Sequence, residues 1–334
     1  MRAATHGGDV GARLDFSTCV NAYGPAPVVL EAIRAADVAA YPDPRSGAAR
    51  RAAANAWDRP VEEIAFGAGT AELIAAAVAA FVRPGDTVLV PRPAFGEYGR
   101  AALLAGGRVR RPARLPIDAS GAAVALAMAV AVYAERPRVA FLAAPTSPAG
   151  TALSRDEVRA VADACAAVGG ILVLDQAYDG CCAVPLGTPA LAGDPAVLHL
   201  RSMTKDHALA GLRVGFAIGP AAMIAALDGV RVPWAASSVA QAAAVAALSD
   251  AAAVHVRETT SRLRAEARAL AEWCGGRAVR SDTHYLLLRG VRTTGAGIAV
   301  RDCRSFGLPT YIRVAARTPP ENTALRAVLR TYDV

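Results

Sequence analysis

The chain has 334 residues, of which 54% are hydrophobic and 19% charged, a composition typical of a globular enzyme and not of a disordered or fibrous chain. Its formal charge of +7 comes from arginines interspersed with acidic residues, which argues against a nucleic-acid partner. The longest apolar stretch, residues 122–134, is too short to cross a bilayer and no export signal is recognisable, so we expect a cytoplasmic protein without membrane contact.

Short β-rich runs alternate with Ala-rich helical stretches in the first two thirds of the chain. The predicted strands cover residues 63–66, 87–90, 108–110, 138–142, 171–175, 197–202 and 214–218. The segments between them, such as residues 70–82 and 154–168, are long enough for crossover helices, and Ser154 with Glu157 has the S-x-x-E pattern of a helix N-terminus. The alternation predicts an α/β domain with a mainly parallel seven-stranded sheet between helices.

The pattern changes after Pro233. A long Ala-rich helical region is predicted over residues 238–273, followed by strands at 284–288, 298–302 and 311–315, a flexible loop at 292–297 and a terminal helix from Pro319. This order predicts a smaller α+β domain. We therefore divide the chain into an N-terminal arm (1–30), a large domain (31–235) and a small C-terminal domain (236–334).

The positions of the cysteines and lysines limit which metal-binding and catalytic sites the chain can contain. The cysteines, at positions 19, 165, 181, 182, 274 and 303, lack metal-ligand spacing, so no metal site is predicted. Of the 36 basic residues, 35 are arginine and Lys205 is the one lysine. Arginine can replace lysine where only charge matters, but it cannot replace an amine that must lose its proton and attack a carbonyl. Lys205 is therefore the first candidate for a catalytic residue.

The surroundings of Lys205 suit an anionic ligand. Ser202-Met-Thr-Lys205 follows a predicted strand, so Lys205 is expected at the carboxyl edge of the sheet, where open α/β sheets bind ligands. Ser202 and Arg213 can bind phosphate through a hydroxyl and a charged hydrogen bond. The segment Gly67-Ala-Gly-Thr70-Ala-Glu72 joins a strand to an apolar helix, and the N–H groups of such a helix start also bind phosphate.

Leu174-Asp175-Gln-Ala-Tyr178 ends another predicted strand. A carboxylate at the end of a buried apolar strand needs a partner, and a protonated pyridine nitrogen is a suitable one. Tyr178 can donate a hydrogen bond to a phenolic oxygen of the same cofactor. An aspartate that only caps the next turn is the alternative.

Together these motifs resemble the fold-type-I enzymes of pyridoxal 5′-phosphate (PLP), the class I and II aminotransferases, over most of the chain. The resemblance implies the aspartate-aminotransferase fold with residues 31–235 as the PLP-binding domain. It implies Lys205 as the Schiff-base lysine, Asp175 as the partner of the pyridinium and Tyr178 as the donor to the phenolic oxygen. The other implied ligands are the phosphate-binding Gly69, Thr70, Ala71, Ser202 and Arg213, the ring-stacking Phe95 and the carboxylate-binding Arg313.

A narrower resemblance concerns the N-terminal segments. His6-Gly-Gly-Asp9, Leu14-Asp-Phe-Ser17 and Asn21-Ala-Tyr23-Gly-Pro25 are similar to the opening of the threonine-phosphate decarboxylases, and histidinol-phosphate aminotransferases share the last of these. Tyr41-Pro-Asp-Pro44 resembles the segment whose tyrosine reaches the cofactor phosphate of the neighbouring subunit, which implies a homodimer with shared active sites. The branch also implies substrate contacts for Tyr23, Arg301, Arg304 and Arg317.

One segment departs from the family. Ala144-Pro-Thr-Ser-Pro-Ala-Gly150 has Ser147 where the family has an asparagine that donates to the phenolic oxygen of the cofactor, and serine is a shorter donor. The first hypothesis is an aminotransferase that acts on an amino acid or a phosphorylated amino compound. The alternatives are a decarboxylase of an amino-acid phosphate, an elimination or cyclisation enzyme, a catalytically silent ligand sensor, and a dinucleotide-dependent oxidoreductase that would leave the single lysine unexplained.

Overall fold

The computed structural model describes residues 6–8, 11–187, 191, 193–293 and 297–331. The helices of this part are α1 (Pro27–Ala35), α2 (Gly47–Trp57), α3 (Thr70–Phe81), α4 (Gly96–Leu104), α5 (Gly121–Glu135), α6 (Arg155–Ala167), α7 (Ala221–Gly229), α8 (Ser238–Ala247), α9 (Asp250–Cys274) and α10 (Pro319–Val328). The strands are β1 (Leu14–Asp15), β2 (Ile64–Gly67), β3 (Thr87–Leu89), β4 (Arg108–Arg110), β5 (Val139–Ala143), β6 (Ile171–Asp175), β7 (Val197–Ser202), β8 (Gly215–Ile218), β9 (Tyr285–Arg289), β10 (Val291–Thr293), β11 (Ile298–Ala299), β12 (Arg301–Asp302), β13 (Tyr311–Ala315) and β14 (Leu329–Thr331).

The large sheet has seven strands in the order β2-β8-β7-β6-β5-β3-β4. Its strands run parallel except β8, which pairs antiparallel with both of its neighbours. Every position of β6 is buried, as expected for a strand covered on both faces. Helices α3, α4 and α7 pack on one face, and α5 and α6 on the other. The predicted seven-stranded, mainly parallel sheet is confirmed.

Local signals set the start of α6. The Ser154 hydroxyl accepts a hydrogen bond from the Glu157 N–H at 3.2 Å, and the Glu157 carboxylate accepts one from the Ser154 N–H at 2.7 Å. These two bonds satisfy donors that a helix N-terminus otherwise leaves without partners. The predicted capping box is therefore confirmed.

The predicted helical region over residues 238–273 consists of two helices, α8 and α9. The Ser249 hydroxyl accepts from the Ala252 N–H and starts α9, so α8 and α9 meet at a bend of 78°. Ala240 and Ala244 of α8 lie in a cluster with Ile64 and Phe216 of the large sheet. We propose that α8 belongs to the large domain, which would move the predicted boundary at residue 235 to the start of α9.

The C-terminal part contains the antiparallel sheet β12-β13-β9, on which α9 and α10 pack through Leu270 and Leu325. The predicted strand 298–302 is two short strands with different partners, since β11 pairs with β1 of the N-terminal arm and β12 with β13. The arm is also bonded to β13, because the Ala315 N–H donates to the Phe16 carbonyl at 2.9 Å. Of the predicted loop 292–297, the first two residues lie in β10, and residues 294–296 are outside the described part.

Within the described ranges, no single helix is long and apolar enough to cross a membrane. Among the helices of the described residues, only α8 and α9 taken together, despite their bend, reach that length and composition.

Candidate active site

Most of the predicted site residues surround one cavity of about 400 Å³ at the carboxyl ends of β6 and β7. Parallel strands place their ends at one edge of the sheet, which explains why segments distant in sequence meet there. The predicted residues in the cavity wall are Thr70, Ala71, Phe95, Ser147, Asp175, Tyr178, Ser202, Lys205, Arg213, Arg301 and Arg313.

Lys205 follows β7 and faces this cavity, with its Nζ 5.7 Å from the centre of the Tyr178 ring. The N-terminal arm holds its backbone, because Asn21 donates from its N–H to the Lys205 carbonyl at 2.8 Å and from its amide to the Asp206 carbonyl at 2.9 Å. Burial lowers the pKa of Lys205, and the nearby charge of Arg313 lowers it further. A lower pKa favours the neutral amine, which is the form that attacks a carbonyl.

Asp175 ends β6 on the cavity floor and is only 6% exposed. Its two carboxylate oxygens accept hydrogen bonds from different donors, the Tyr98 hydroxyl at 2.6 Å and the Ala177 N–H at 2.9 Å. Burial raises the pKa of Asp175, whereas these hydrogen bonds and the charge of Lys205 lower it. The carboxylate is thus a buried acceptor suited to a cationic N–H group.

The N-terminus of α3 and the Arg213 guanidinium lie together at one corner of the cavity. Gly69 has φ of +84°, and a Cβ atom there would come within 2.6 Å of Arg213 Nη2. A Cβ atom on Gly215 would come within 2.8 Å of the Thr70 N atom. Only glycine at these two positions lets β8, Arg213 and the helix start approach one another so closely. The free N–H groups of a helix start and a guanidinium together suit a phosphate group.

Tyr178 lines the cavity beside Lys205 and packs edge-on against Tyr285, with ring centres 4.9 Å apart. Burial raises the pKa of Tyr178, and the neighbouring Cys19 raises it further. The hydroxyl therefore keeps its proton at neutral pH and is available as a hydrogen-bond donor.

Two arginines stand side by side across the cavity. Arg301 on β12 pairs in register with Arg313 on β13, and each is 6% exposed. Arg313 donates to the Ser147 hydroxyl at 3.3 Å and to the Ser17 carbonyl at 3.4 Å, which are neutral partners. Arg301 donates to the Ser305 hydroxyl at 2.8 Å. Like charges directly opposite each other on neighbouring strands repel, so this pair is suited to an anionic ligand.

The remaining predicted residues lie outside the cavity wall, and their roles stay predictions. Arg317 forms an ion pair with Glu321 at 2.7 Å, and Arg304 lies on the surface beside Asp302. Tyr23 packs under the Arg262 guanidinium at 5.8 Å. Gly69 lies against the Arg213 guanidinium, as described above.

Tyr41 is on the surface. It is 87% exposed and its ring centre lies 5.8 Å from that of Trp234. Asp9 of the predicted N-terminal segment is outside the described residues.

Several cavity residues were not predicted, among them Tyr98, Thr204, Ser17 and His6. Tyr98 stands three residues after Phe95 at the start of α4, so the i, i+3 spacing was a signal that both rings face the same side. Thr204 could have been found beside Ser202, to whose hydroxyl it is hydrogen-bonded at 2.7 Å. In the described residues there is no group of three or more side chains that could hold a metal ion.

The chain is similar in sequence to known aminotransferases. The family described as aminotransferase class I and II matches residues 13–329. The histidinol-phosphate aminotransferase of Halorubrum lacusprofundi is 32% identical over 314 residues, which cover 91% of this chain and 85% of that protein. The aromatic amino acid aminotransferase of Thermobifida fusca is 33% identical over 345 residues, which cover 97% and 92%.

Solved structures show the same architecture. The histidinol-phosphate aminotransferase from Sinorhizobium meliloti in complex with pyridoxal-5′-phosphate has a TM-score of 0.82 at 25% identity and covers 95% of this chain and 89% of that chain. The aspartate aminotransferase from Thermus thermophilus with maleate has a TM-score of 0.80 at 21% identity, over 94% and 90%, a likeness that concerns the fold alone.

Proposed function

This chain belongs to the class I and II aminotransferases, enzymes that depend on PLP, and from that premise we propose that it transfers the amino group of a phosphorylated amino compound with the cofactor bound covalently to Lys205. The observation that carries the proposal is that the only lysine of the chain faces the cavity floor formed by Asp175. When bound, PLP supplies an electron sink for the negative charge that develops on the substrate carbon.

Each part of the cavity has a suitable task toward PLP. The Asp175 carboxylate would accept a hydrogen bond from the protonated ring nitrogen, and the Tyr178 hydroxyl would donate one to the phenolic oxygen. Arg213, Ser202 and the start of α3 at Thr70 would hold the phosphate. The buried carboxylate, the phenol donor and the cationic corner are complementary to the protonated ring nitrogen, the phenolic oxygen and the phosphate of PLP. The arrangement supports the proposed residue roles.

Lys205 would act twice. Its neutral amine would first hold the cofactor aldehyde, and after release it would carry a proton to and from the substrate carbon. Its lowered pKa supports both tasks, since a general base works best when its pKa lies near the working pH.

The substrate class is inferred from Arg301 and Arg313. Two buried guanidinium groups in register can bind a phosphate between them or a carboxylate and a phosphate separately. A relative named histidinol-phosphate aminotransferase is 32% identical to this chain over 314 residues, which supports a phosphorylated substrate. An amino-acid phosphate would satisfy the same two arginines, so its decarboxylation is the second candidate.

A substrate panel tests this proposal. Histidinol phosphate, amino-acid phosphates and their unphosphorylated forms would be incubated with the PLP-loaded enzyme and an amino acceptor. We expect carbonyl products from phosphorylated substrates, with kcat/KM at least about tenfold higher than for the unphosphorylated forms. Carbon dioxide release in equal amount to product would assign the enzyme as a decarboxylase. Equal rates with both forms of each substrate would contradict the phosphate assignment.

We also propose a homodimer in the cytoplasm. Tyr41 is exposed on its own subunit and lies with Trp234 on the surface, so it is accessible to a second copy. If Tyr41 completes the neighbouring phosphate site, Tyr41→Phe should raise the dissociation constant for PLP about tenfold through the loss of one hydrogen bond to a charged group. Titration of the apo protein with PLP measures this. A fully active monomer in sedimentation experiments would contradict the shared site.

Ser147 supports a prediction about the loaded enzyme. Because a longer donor at position 147 would reach the phenolic oxygen of PLP better than serine, Ser147→Asn should lower the pKa of the visible spectral transition of the bound cofactor. Spectrophotometric pH titration of both proteins measures the shift. Ser147 already accepts a hydrogen bond from Arg313, so Ser147→Ala is the control that removes this contact without adding a donor. An unchanged or higher pKa in the Asn variant would mean that position 147 does not contact the cofactor.

A further inference from the structure

The buried side chain of Tyr98 is hydrogen-bonded to Asp175. Its hydroxyl donates to Asp175 Oδ2 at 2.6 Å, and the residue is 1% exposed. The Tyr98 ring lies flat against Phe141, with ring centres 4.6 Å apart and planes 6° from parallel, and meets the edge of Phe95 at 5.7 Å. This packing fixes the ring, so the direction of the hydroxyl toward Asp175 is fixed as well.

The hydrogen bond from Tyr98 bears on whether Asp175 is ionised. The ionisable groups that act on Asp175 and Tyr98 are Lys205, Tyr178 and Tyr285. Burial raises the pKa of Asp175, and the neutral form of the acid would lose its attraction for a cationic ring nitrogen. Burial and the neighbouring carboxylate raise the pKa of Tyr98, so the phenol keeps its proton and stays a donor.

We propose that Tyr98 is a positioning residue whose hydroxyl holds Asp175 in its ionised form and orients the carboxylate toward the ring nitrogen of PLP. The inference rests on the proposed role of Asp175. The Ala177 N–H holds the second carboxylate oxygen at 2.9 Å, so the two donors together set the plane of the carboxylate. Without the hydroxyl, the proton shared between Asp175 and the ring nitrogen would move toward Asp175.

The first test needs no cofactor. Tyr98→Phe removes one oxygen atom and keeps the stacked ring, and thermal unfolding shows whether the variant is folded. In apo protein, the infrared carbonyl band of protonated Asp175, assigned by its loss in Asp175→Asn, reports ionisation directly. In Tyr98→Phe the band should appear at a pH at least about one unit higher, since one unit is a tenfold change in the ionisation equilibrium. The same titration midpoint in both proteins would overturn the inference.

The second test follows the cofactor. In enzyme loaded with PLP labelled with ¹⁵N in the ring, the ratio of protonated to neutral ring nitrogen should fall about tenfold in Tyr98→Phe. Phe141→Leu loosens the packing that fixes the Tyr98 ring but keeps the hydroxyl, so the ratio should fall less in this variant than in Tyr98→Phe. If Asp175→Asn neutralises the nitrogen while Tyr98→Phe does not, the Tyr98 inference fails alone. If the nitrogen stays protonated in Asp175→Asn, the proposed role of Asp175 fails and the Tyr98 inference fails with it.

Discussion

Replacing Lys205 with alanine is expected to lower kcat by about 10⁴-fold or more, because the chain has no other lysine that could hold the cofactor and carry the proton. The visible absorption of covalently bound PLP should disappear together with turnover. The arginines that line the same cavity, Arg213, Arg301 and Arg313, cannot substitute, since a guanidinium stays protonated at any physiological pH.

Lys205→Arg is the matched control. It keeps the positive charge in nearly the same place but removes the amine that can lose its proton. If charge were the contribution of Lys205, this variant would retain turnover, whereas loss equal to that of Lys205→Ala shows that the neutral amine is required. A Lys205→Ala protein with more than about 1% of wild-type kcat would contradict the assignment, because general acid–base catalysis alone contributes at least about that factor.

Arg313→Lys should raise KM for substrates with a carboxylate or phosphate about 10- to 100-fold and affect kcat less. Arg313 is buried beside Arg301, and its hydrogen bonds go to the neutral Ser147 and Ser17, which leaves its planar fork suited to two parallel bonds with an anion. An ammonium group can form only one of those bonds in the same geometry, and each charge-assisted bond contributes about 1.5–3 kcal/mol. Steady-state kinetics with wild-type and variant enzyme measure both constants.

Arg317→Lys is the comparison for this experiment. Arg317 lies two residues beyond the end of β13 and outside the cavity wall, and it is paired with Glu321, so an ammonium there should leave KM nearly unchanged. If Arg313→Lys and Arg317→Lys behave alike, with normal KM, the substrate does not bind through Arg313. If Arg317→Lys alone raises KM, the predicted substrate contact of Arg317 gains support over that of Arg313.

The strands of the large sheet could be predicted because buried parallel strands are apolar at nearly every position, as β6 is. The break between α8 and α9 was not predicted because Ala-rich sequence continues on both sides of Ser249, whose hydroxyl accepts a hydrogen bond from the Ala252 N–H at the start of α9. The division of residues 298–302 between two partners could not be predicted, since strand pairing depends on segments far away in the sequence.

Candidate site residues could be predicted from the sequence where a residue type is hard to explain at its position by a structural role alone. Lys205 was identified because it is the only lysine, and Asp175 because a carboxylate at the end of a buried strand requires a partner. The Tyr98–Asp175 hydrogen bond joins residues 77 positions apart, and the Ser147–Arg313 contact joins residues 166 apart. Such contacts depend on how the helices and sheets pack, which local patterns do not encode.

The proposal that Lys205 carries the cofactor can be tested on the PLP-loaded enzyme itself. Its most direct test is to reduce the PLP-loaded enzyme with borohydride, digest it and locate the attached pyridoxyl phosphate by mass spectrometry. We expect one modified residue, Lys205, in the peptide that contains Ser202 and Asp206. A cofactor attached only to the N-terminal amine, or PLP that remains unattached in an active enzyme, would contradict it.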